Sequence, residues 1–85
     1  MASVTIYTTK LCGYCFAAKR LLKQKGVAYE EVDVSFSAEA RQTMTARASG
    51  GRSVPQIFVD EHHVGGCDEL YALENSGELD ALLAG

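Results

Sequence analysis

The sequence predicts an α/β fold in which a four-stranded mixed sheet is flanked by three or more helices. The predicted order is strand, helix, strand, then a helix, then two strands around a tight turn, then a helix. A strand–helix–strand unit with short connections gives a right-handed parallel crossover, whereas a tight turn gives an antiparallel hairpin. Of the 85 residues, 47% are hydrophobic, which is enough for one core. We therefore expect a single domain over residues 1–85.

The first half of the chain carries the parallel unit. Residues 3–8 alternate between apolar and β-branched polar side chains, which predicts a strand. A helix is expected from about Gly13 to Lys25, with Gly26 ending it in a left-handed conformation. Residues 27–34 alternate again and predict the second strand. The apolar face of the helix comprises Ala18, Leu21 and Leu22.

A second helix follows the parallel unit. Ser37 is a good N-cap, and an acidic residue in the first turn suits the helix dipole. The helix is expected to end at residues 49–51, where a serine precedes two glycines. Its weakly apolar positions are Ala38, Met44, Ala46 and Ala48.

The remaining elements are a hairpin and one or more helices. Residues 56–59 predict a strand, residues 60–61 a turn and residues 62–64 a short returning strand that Gly65 and Gly66 break. A third helix opens at Cys67 or Asp68 and ends at residues 75–77. Residues 78–84 can add one or two further helical turns. The element order is therefore βαβ-α-ββ-α, the minimal thioredoxin-like architecture.

Composition excludes several classes of function. The net charge of −3 and the pI of about 5.2 give no basic surface for nucleic acid. No apolar run approaches the roughly 20 residues that a membrane span requires. Residues 1–4 carry no basic segment before an apolar run, so we expect no secretory signal and a cytoplasmic protein. Three cysteines are also fewer than a secreted disulfide scaffold of this size usually has.

Two cysteines lie three positions apart where the first strand ends and the first helix begins. A C-x-x-C motif in a βαβ pattern indicates a redox site, although metal ligands and structural cysteines are alternatives. The Cys12 sulfur can accept hydrogen bonds from the amides of Tyr14 and Cys15, which lack helical partners, and the helix dipole favours its thiolate. Cys15 points back toward the sheet and should be less exposed. These positions favour Cys12 as nucleophile and Cys15 as resolving thiol.

A structural zinc site is the main metal alternative. Zinc usually takes four ligands from paired motifs, and Cys67 with a histidine would supply the number but not the spacing. His62 and His63 are adjacent on a strand and therefore face opposite ways. We interpret both histidines as structural or solvated and predict no resident metal.

Four motifs together resemble those of a small, bacterial-type dithiol glutaredoxin. They are Lys10 two positions before the first cysteine, C-G-Y-C at 12–15, S-V-P at 53–55 and G-G-C-D at 65–68. The resemblance covers the whole chain and implies a thioredoxin-like fold. The departures are Gly13, where most of the closest members have proline, and Ser53, where threonine is more usual.

The resemblance implies a glutathione-dependent thiol–disulfide oxidoreductase that reduces glutathione mixed disulfides and protein disulfides. Cys12 would attack, and Cys15 would resolve protein disulfides by closing a redox-active Cys12–Cys15 disulfide. The expected partners are glutathione and glutathionylated or disulfide-containing proteins, with the chain acting as a monomer. A thioredoxin-type protein reduced by a flavoprotein is disfavoured by Lys10, by the G-G-C-D motif and by the absence of tryptophan.

The resemblance also assigns residues to glutathione. Lys10 would face a carboxylate, Tyr14 would shield one side, and Val54 would offer its backbone in the manner of an added strand. That pairing implies a cis Val54–Pro55 bond, although only about 5–6% of X–Pro bonds are cis. Helix amides at residues 67–68 would bind a second carboxylate, and Arg41 or Gln42 would contact the glycyl carboxylate. The predicted set is Lys10, Tyr14, Arg41, Ser53, Val54, Pro55, Gly66, Cys67 and Asp68.

Gly13 motivates an alternative function. The related proteins that lack a proline at this position include those that hold a two-iron two-sulfur cluster. Glycine frees the loop and leaves room above the thiolate, whereas proline would fix φ near −65°. The alternative is a cluster-bridged dimer in which Cys12 of each chain and two glutathiones are the ligands. Cys67 is expected near the site, where it fills space or becomes modified.

Overall fold

The computed structural model describes residues 2–85 and confirms the predicted fold class. The sheet has the order β2-β1-β3-β4, in which β1 runs parallel to β2 and antiparallel to β3, and β3 pairs antiparallel with β4. Met1, with which the predicted N-terminus begins, lies outside the described residues. The elements are β1 (Val4–Thr8), α1 (Gly13–Gln24), β2 (Tyr29–Asp33), α2 (Ala38–Arg47), β3 (Gln56–Val59), β4 (His62–Gly65), α3 (Cys67–Ser76) and α4 (Glu78–Ala84).

Several element boundaries differ from the prediction. β2 begins at Tyr29 rather than at residue 27, because the Val27 amide donates to Leu22 O at 3.3 Å and so still belongs to the end of α1. Gly26 has a φ of 73°, as expected of a residue that ends a helix. β4 extends through Gly65, which was expected to break it, because Gly65 still pairs with Ile57.

The sheet is covered on both faces. α1, α3 and α4 pack on one face, where the larger core lies. The smaller core, on the other face, is formed by Tyr7, Val34, Met44, Ala48 and Phe58. The larger core comprises Val4, Ile6, Ala18, Leu21, Leu22, Ile57, Val59, Val64, Cys67, Leu70, Leu79 and Leu83.

The predicted apolar positions of α2 are only half correct. Met44 and Ala48 are buried, four positions apart on one side of the helix. Ala38 and Ala46 are exposed. At about 100° per residue, Ala46 lies roughly 200° around the helix from Met44, so it faces solvent. No helix within residues 2–85 is long and apolar enough to cross a membrane.

Candidate active site

Cys12 and Cys15 meet at the N-terminus of α1 and are joined as a disulfide, with their Cα atoms 5.2 Å apart. Cys12 is the N-cap, with extended backbone, and its sulfur accepts a hydrogen bond from the Cys15 amide at 3.1 Å. Among residues 2–85 no bond from the Tyr14 amide to this sulfur is present, so that part of the prediction is wrong. Cys12 is 9% exposed and Cys15 is 1% exposed, in the predicted order.

The turn before α1 and the first turn of α1 set the electrostatic environment of the Cys12 sulfur. β1 ends at Thr8, and an exposed turn through Lys10 and Leu11 leads to the N-cap. The first turn of α1 carries no acidic side chain. The positive end of the helix dipole therefore acts on the Cys12 sulfur without a competing carboxylate from its own helix. When the disulfide is reduced, this arrangement favours the thiolate of Cys12.

The loop before β3 faces the cysteine pair. The Val54–Pro55 peptide bond is cis, as the resemblance implied. The Val54 carbonyl oxygen lies 3.9 Å from the Cys12 sulfur, which brings two chain segments 42 residues apart into contact. The Val54 backbone therefore borders the reactive sulfur.

An open groove of about 250 Å³ lies against this loop and the start of α3. Tyr14 forms one wall and is largely exposed, at 68%. Seven of the nine residues predicted to contact glutathione line this groove. Its lining residues are Tyr14, Ser53, Val54, Pro55, Gly66, Cys67, Asp68 and Glu69.

Glu69 is a groove residue that the sequence analysis missed. Its carboxylate accepts a hydrogen bond from the Gly66 amide at 2.7 Å, which caps the start of α3. The capping leaves little room at Gly65, where a Cβ atom would lie 2.9 Å from Glu69 Oε1 and where φ is 113°. A glutamate three positions after an N-cap is a recognised capping signal, so the spacing from Gly66 to Glu69 could have revealed it.

Two predicted residues lie outside the groove. Lys10 and Arg41 line a separate hollow with the exposed side chains of Leu11 and Phe36. Lys10 Nζ is 3.3 Å from Asp33 Oδ2. The structure thus places the two cations together, but not with the other seven residues.

Arg41 also lines a neighbouring hollow along α2, together with Gln42 and Arg52. Arg41 Nη1 donates to the Arg52 carbonyl oxygen at 3.4 Å. Arg41 and Gln42 are the two residues that the sequence offers as contacts for the glycyl carboxylate. Both are on the same surface of the helix, so the alternatives stay open.

Cys67 is a buried free thiol at the first position of α3 and also lines the groove. Burial raises the pKa of the Cys67 thiol, and the negative charges of Asp68 and Glu69 raise the pKa further. Cys67 therefore stays protonated at pH values where an ordinary thiol begins to ionise. This state suits a residue that fills space rather than one that attacks.

The described residues contain no cluster of three or more His, Cys, Asp or Glu side chains arranged to hold a metal ion. His63 stacks on Phe58 with ring centroids 4.9 Å apart, which agrees with a structural role. For the iron–sulfur cluster of the alternative function, Cys12 would be the thiol ligand, and it fits only after the disulfide is reduced. A Cβ atom at Gly13 would meet no atom within 4 Å outside the two neighbouring residues, so this position is open. Cluster binding stays a prediction.

Comparison with known proteins identifies the family. The family model described as Glutaredoxin matches residues 4–64. The chain belongs to the glutaredoxin family. Glutaredoxins are oxidoreductases, and Cys12 and Cys15 fit the redox-active C-x-x-C pair of the family.

Relatives and solved structures of glutaredoxins match this chain over nearly its whole length. Glutaredoxin 3 of Escherichia coli is 52% identical over 83 residues, covering 98% of this chain and 99% of the relative. A solution structure of a glutaredoxin from Brucella melitensis is 52% identical with a TM-score of 0.85, covering 98% and 89%. A crystal structure of a buckwheat glutaredoxin–glutathione complex is 27% identical with a TM-score of 0.87, covering 98% and 77%.

Proposed function

We propose that this glutaredoxin is a glutathione-dependent disulfide oxidoreductase that removes glutathione from mixed disulfides and reduces protein disulfides. The observation that carries the proposal is the Cys12 sulfur beside the Val54 backbone, at the groove formed by Tyr14, the 53–55 loop and the start of α3. The buckwheat relative whose structure contains glutathione supports the choice of ligand.

The groove suits a peptide that carries carboxylates and an ammonium group. Val54 can offer backbone N–H and C=O groups to an extended peptide, as in strand addition. The amides of Cys67 and Asp68 are in the first turn of α3, lack intrahelical acceptors and can bind a carboxylate. The exposed Asp68 side chain can pair with the ammonium group. Lys10 and Arg41 lie in the separate hollow and would reach the second carboxylate only at the edge of the groove.

The reduction of a glutathione mixed disulfide needs only Cys12. Its thiolate attacks the glutathione sulfur, the bond between that sulfur and the target breaks, and the target leaves as a thiolate. A second glutathione thiolate then attacks the sulfur of the glutathione held on Cys12. This step releases glutathione disulfide and restores the Cys12 thiolate, which leaves readily because the helix terminus stabilises it.

Protein disulfides need both cysteines. Cys12 forms a mixed disulfide with one protein sulfur, and the other protein sulfur leaves as a thiolate. The Cys15 thiolate then attacks the Cys12 sulfur, which gives the Cys12–Cys15 disulfide of this structure and frees the reduced protein. Two glutathiones return the pair to its dithiol form. We propose that the protein does this work in the cytoplasm as a monomer, on glutathionylated and disulfide-containing proteins.

A glutathione-coupled turnover assay tests the proposal. With a glutathionylated peptide as substrate, Cys12→Ser should lower turnover to background and Cys15→Ser should keep most of it, because only Cys12 is attacked and released. With a protein disulfide as substrate, both variants should be inactive. Equal loss of activity in both variants with the glutathionylated peptide would contradict the mechanism.

A further inference from the structure

Gln56 is a buried polar residue at the start of β3, with 5% of its surface exposed. Its side-chain nitrogen donates to the Ser53 carbonyl oxygen at 3.0 Å and to Ser53 Oγ at 3.4 Å. Its side-chain oxygen is 2.6 Å from His63 Nε2. Because a carbonyl oxygen can only accept, the amide nitrogen must face Ser53 and the amide oxygen must face His63. His63 Nε2 therefore carries the proton and donates.

The sheet explains how a histidine on β4 reaches this amide. Gln56 and Phe58 are two positions apart on β3, so their side chains lie on the same face. β3 pairs with β4 across the two-residue turn at residues 60–61, with Val59 opposite His62, which places His63 opposite Phe58. The His63 ring stacks on Phe58 and reaches the diagonal neighbour Gln56. Stacking on Phe58 fixes the orientation of the His63 ring, and the Nε2 proton of that ring makes the hydrogen bond to Gln56.

We infer that Gln56 and His63 are positioning residues that hold the 53–55 loop for glutathione; the inference rests on the proposed function. The hydrogen bond from Gln56 fixes the Ser53 carbonyl and therefore the plane of the Ser53–Val54 peptide. The next carbonyl, that of Val54, borders the Cys12 sulfur at 3.9 Å. His63 in turn holds the Gln56 amide in the orientation that this bond requires.

Neither residue lines the groove, so they act through the loop. Loss of the chain of hydrogen bonds should free the Val54 backbone and weaken the binding of the peptide part of the substrate. The reaction at Cys12 should keep its rate once the substrate is bound. The expected signature is a raised KM with kcat retained, which a general loss of folded protein would not produce.

The test measures kcat, KM and Tm with a glutathionylated peptide. His63→Phe keeps an aromatic ring on Phe58 but removes the donor, and Gln56→Leu removes the hydrogen bonds to Ser53 and the one from His63. His63→Phe should raise KM about three- to tenfold, the effect of one lost hydrogen bond, and Gln56→Leu should raise it at least as much, with kcat within about twofold in both. His63→Gln restores a donor and should return KM toward the wild-type value. His62→Phe, at the adjacent exposed position, is the matched control and should leave KM unchanged.

The outcomes separate this inference from the proposed function. Wild-type protein that fails to turn over the peptide would contradict the proposed function itself. Active wild type with an unchanged KM in His63→Phe would overturn the positioning role alone. An equal rise in KM in His62→Phe, or a fall in kcat that follows Tm, would also overturn it. Because His63 is exposed, His63→Phe decides the question even where Gln56→Leu does not fold.

Discussion

The two cysteines differ because one turn of helix separates their environments. Cys12 is the N-cap, with φ of −136° and ψ of 104°, so its sulfur lies at the positive end of α1. Cys15 is inside the first turn and is 1% exposed. In the proposed mechanism an incoming disulfide therefore reaches Cys12, whereas Cys15 attacks only a sulfur that is already bonded to Cys12. The division of labour follows from position within the motif.

Cys67 provides a prediction at the same scale. Since burial raises the pKa of its thiol, Cys67 should react slowly with iodoacetamide at neutral pH and faster as the pH is raised above the ordinary thiol range. In the reduced protein at pH 7, Cys12 should be alkylated first. Peptide mass spectrometry after timed labelling at pH 7 and pH 10 measures both rates.

Cys67→Ala is the control in the labelling experiment, because the alkylated peptide that is missing from this variant is the product of Cys67. The labelling rate of Cys12 at pH 7 serves as the internal reference, because its helix terminus favours the thiolate. Similar rates for Cys12 and Cys67 at neutral pH would contradict the role of burial. Because the pKa of Cys67 is raised in the folded protein, the neutral thiol stabilises the fold fully below the ordinary thiol pKa. This stabilisation is lost as the pH rises through the folded-state pKa.

Three elements are joined by one carboxylate. Glu31 on β2 accepts hydrogen bonds from Thr8 Oγ1 on β1 at 2.7 Å and from Lys19 Nζ on α1 at 3.0 Å. Burial alone would raise the pKa of Glu31, but these two hydrogen bonds and the Lys19 charge outweigh it and lower the pKa. The ionised carboxylate therefore helps to hold α1 against the edge strand β2 and against β1, the strand that leads into the active-site helix.

This contact predicts a pH-dependent stability. A lowered carboxyl pKa stabilises the fold above the pKa of the unfolded chain, and the contribution is lost as pH falls through the folded-state pKa. Glu31→Gln should destabilise the protein by at most about 1 kcal/mol at pH 7, since the side chain is 36% exposed and solvent screens it. The difference from wild type should shrink toward acidic pH. Urea unfolding at several pH values measures it.

Glu30→Gln is the matched control for that experiment. Glu30 is the preceding exposed residue of β2, and its side chain makes no hydrogen bond or ion pair to any of residues 2–85. Its substitution should change the free energy of unfolding little at any pH. A pH-independent effect of Glu31→Gln, or an equal effect of Glu30→Gln, would show that the ionised contact is not what stabilises these elements.

For the whole molecule, the order of elements could be predicted because each has a local signature. Apolar and polar side chains alternate along β1. Ser37 marks the start of α2, where its hydroxyl oxygen accepts a hydrogen bond from the Ala40 amide at 3.0 Å. Local pattern could not show that Val27 still closes α1 or that Ala46 faces solvent. Those outcomes depend on which side of an element the rest of the molecule covers.

The sequence could predict only part of the candidate site. Its groove is built from three chain segments, at Tyr14, residues 53–55 and residues 66–69, that only the fold brings together. The resemblance indicated most of these residues, and their contact with glutathione stays a prediction. The predicted turn at residues 60–61 already sets Phe58 opposite His63, but Gln56 and His63 were missed as partners because local pattern does not show which diagonal neighbour a side chain reaches. The separation of Lys10 from the groove likewise depends on loop paths.

The central claim is that Cys12, and no other cysteine, takes up glutathione. Reduced Cys15→Ser protein is incubated with glutathione disulfide at pH 7 and analysed by intact mass and peptide mapping. Cys15→Ser is chosen because it cannot resolve the adduct, and Cys12→Ser is treated in parallel as the control. The account predicts one glutathione per chain on Cys12 and none in Cys12→Ser. An adduct on Cys67, or none on Cys12, would contradict it.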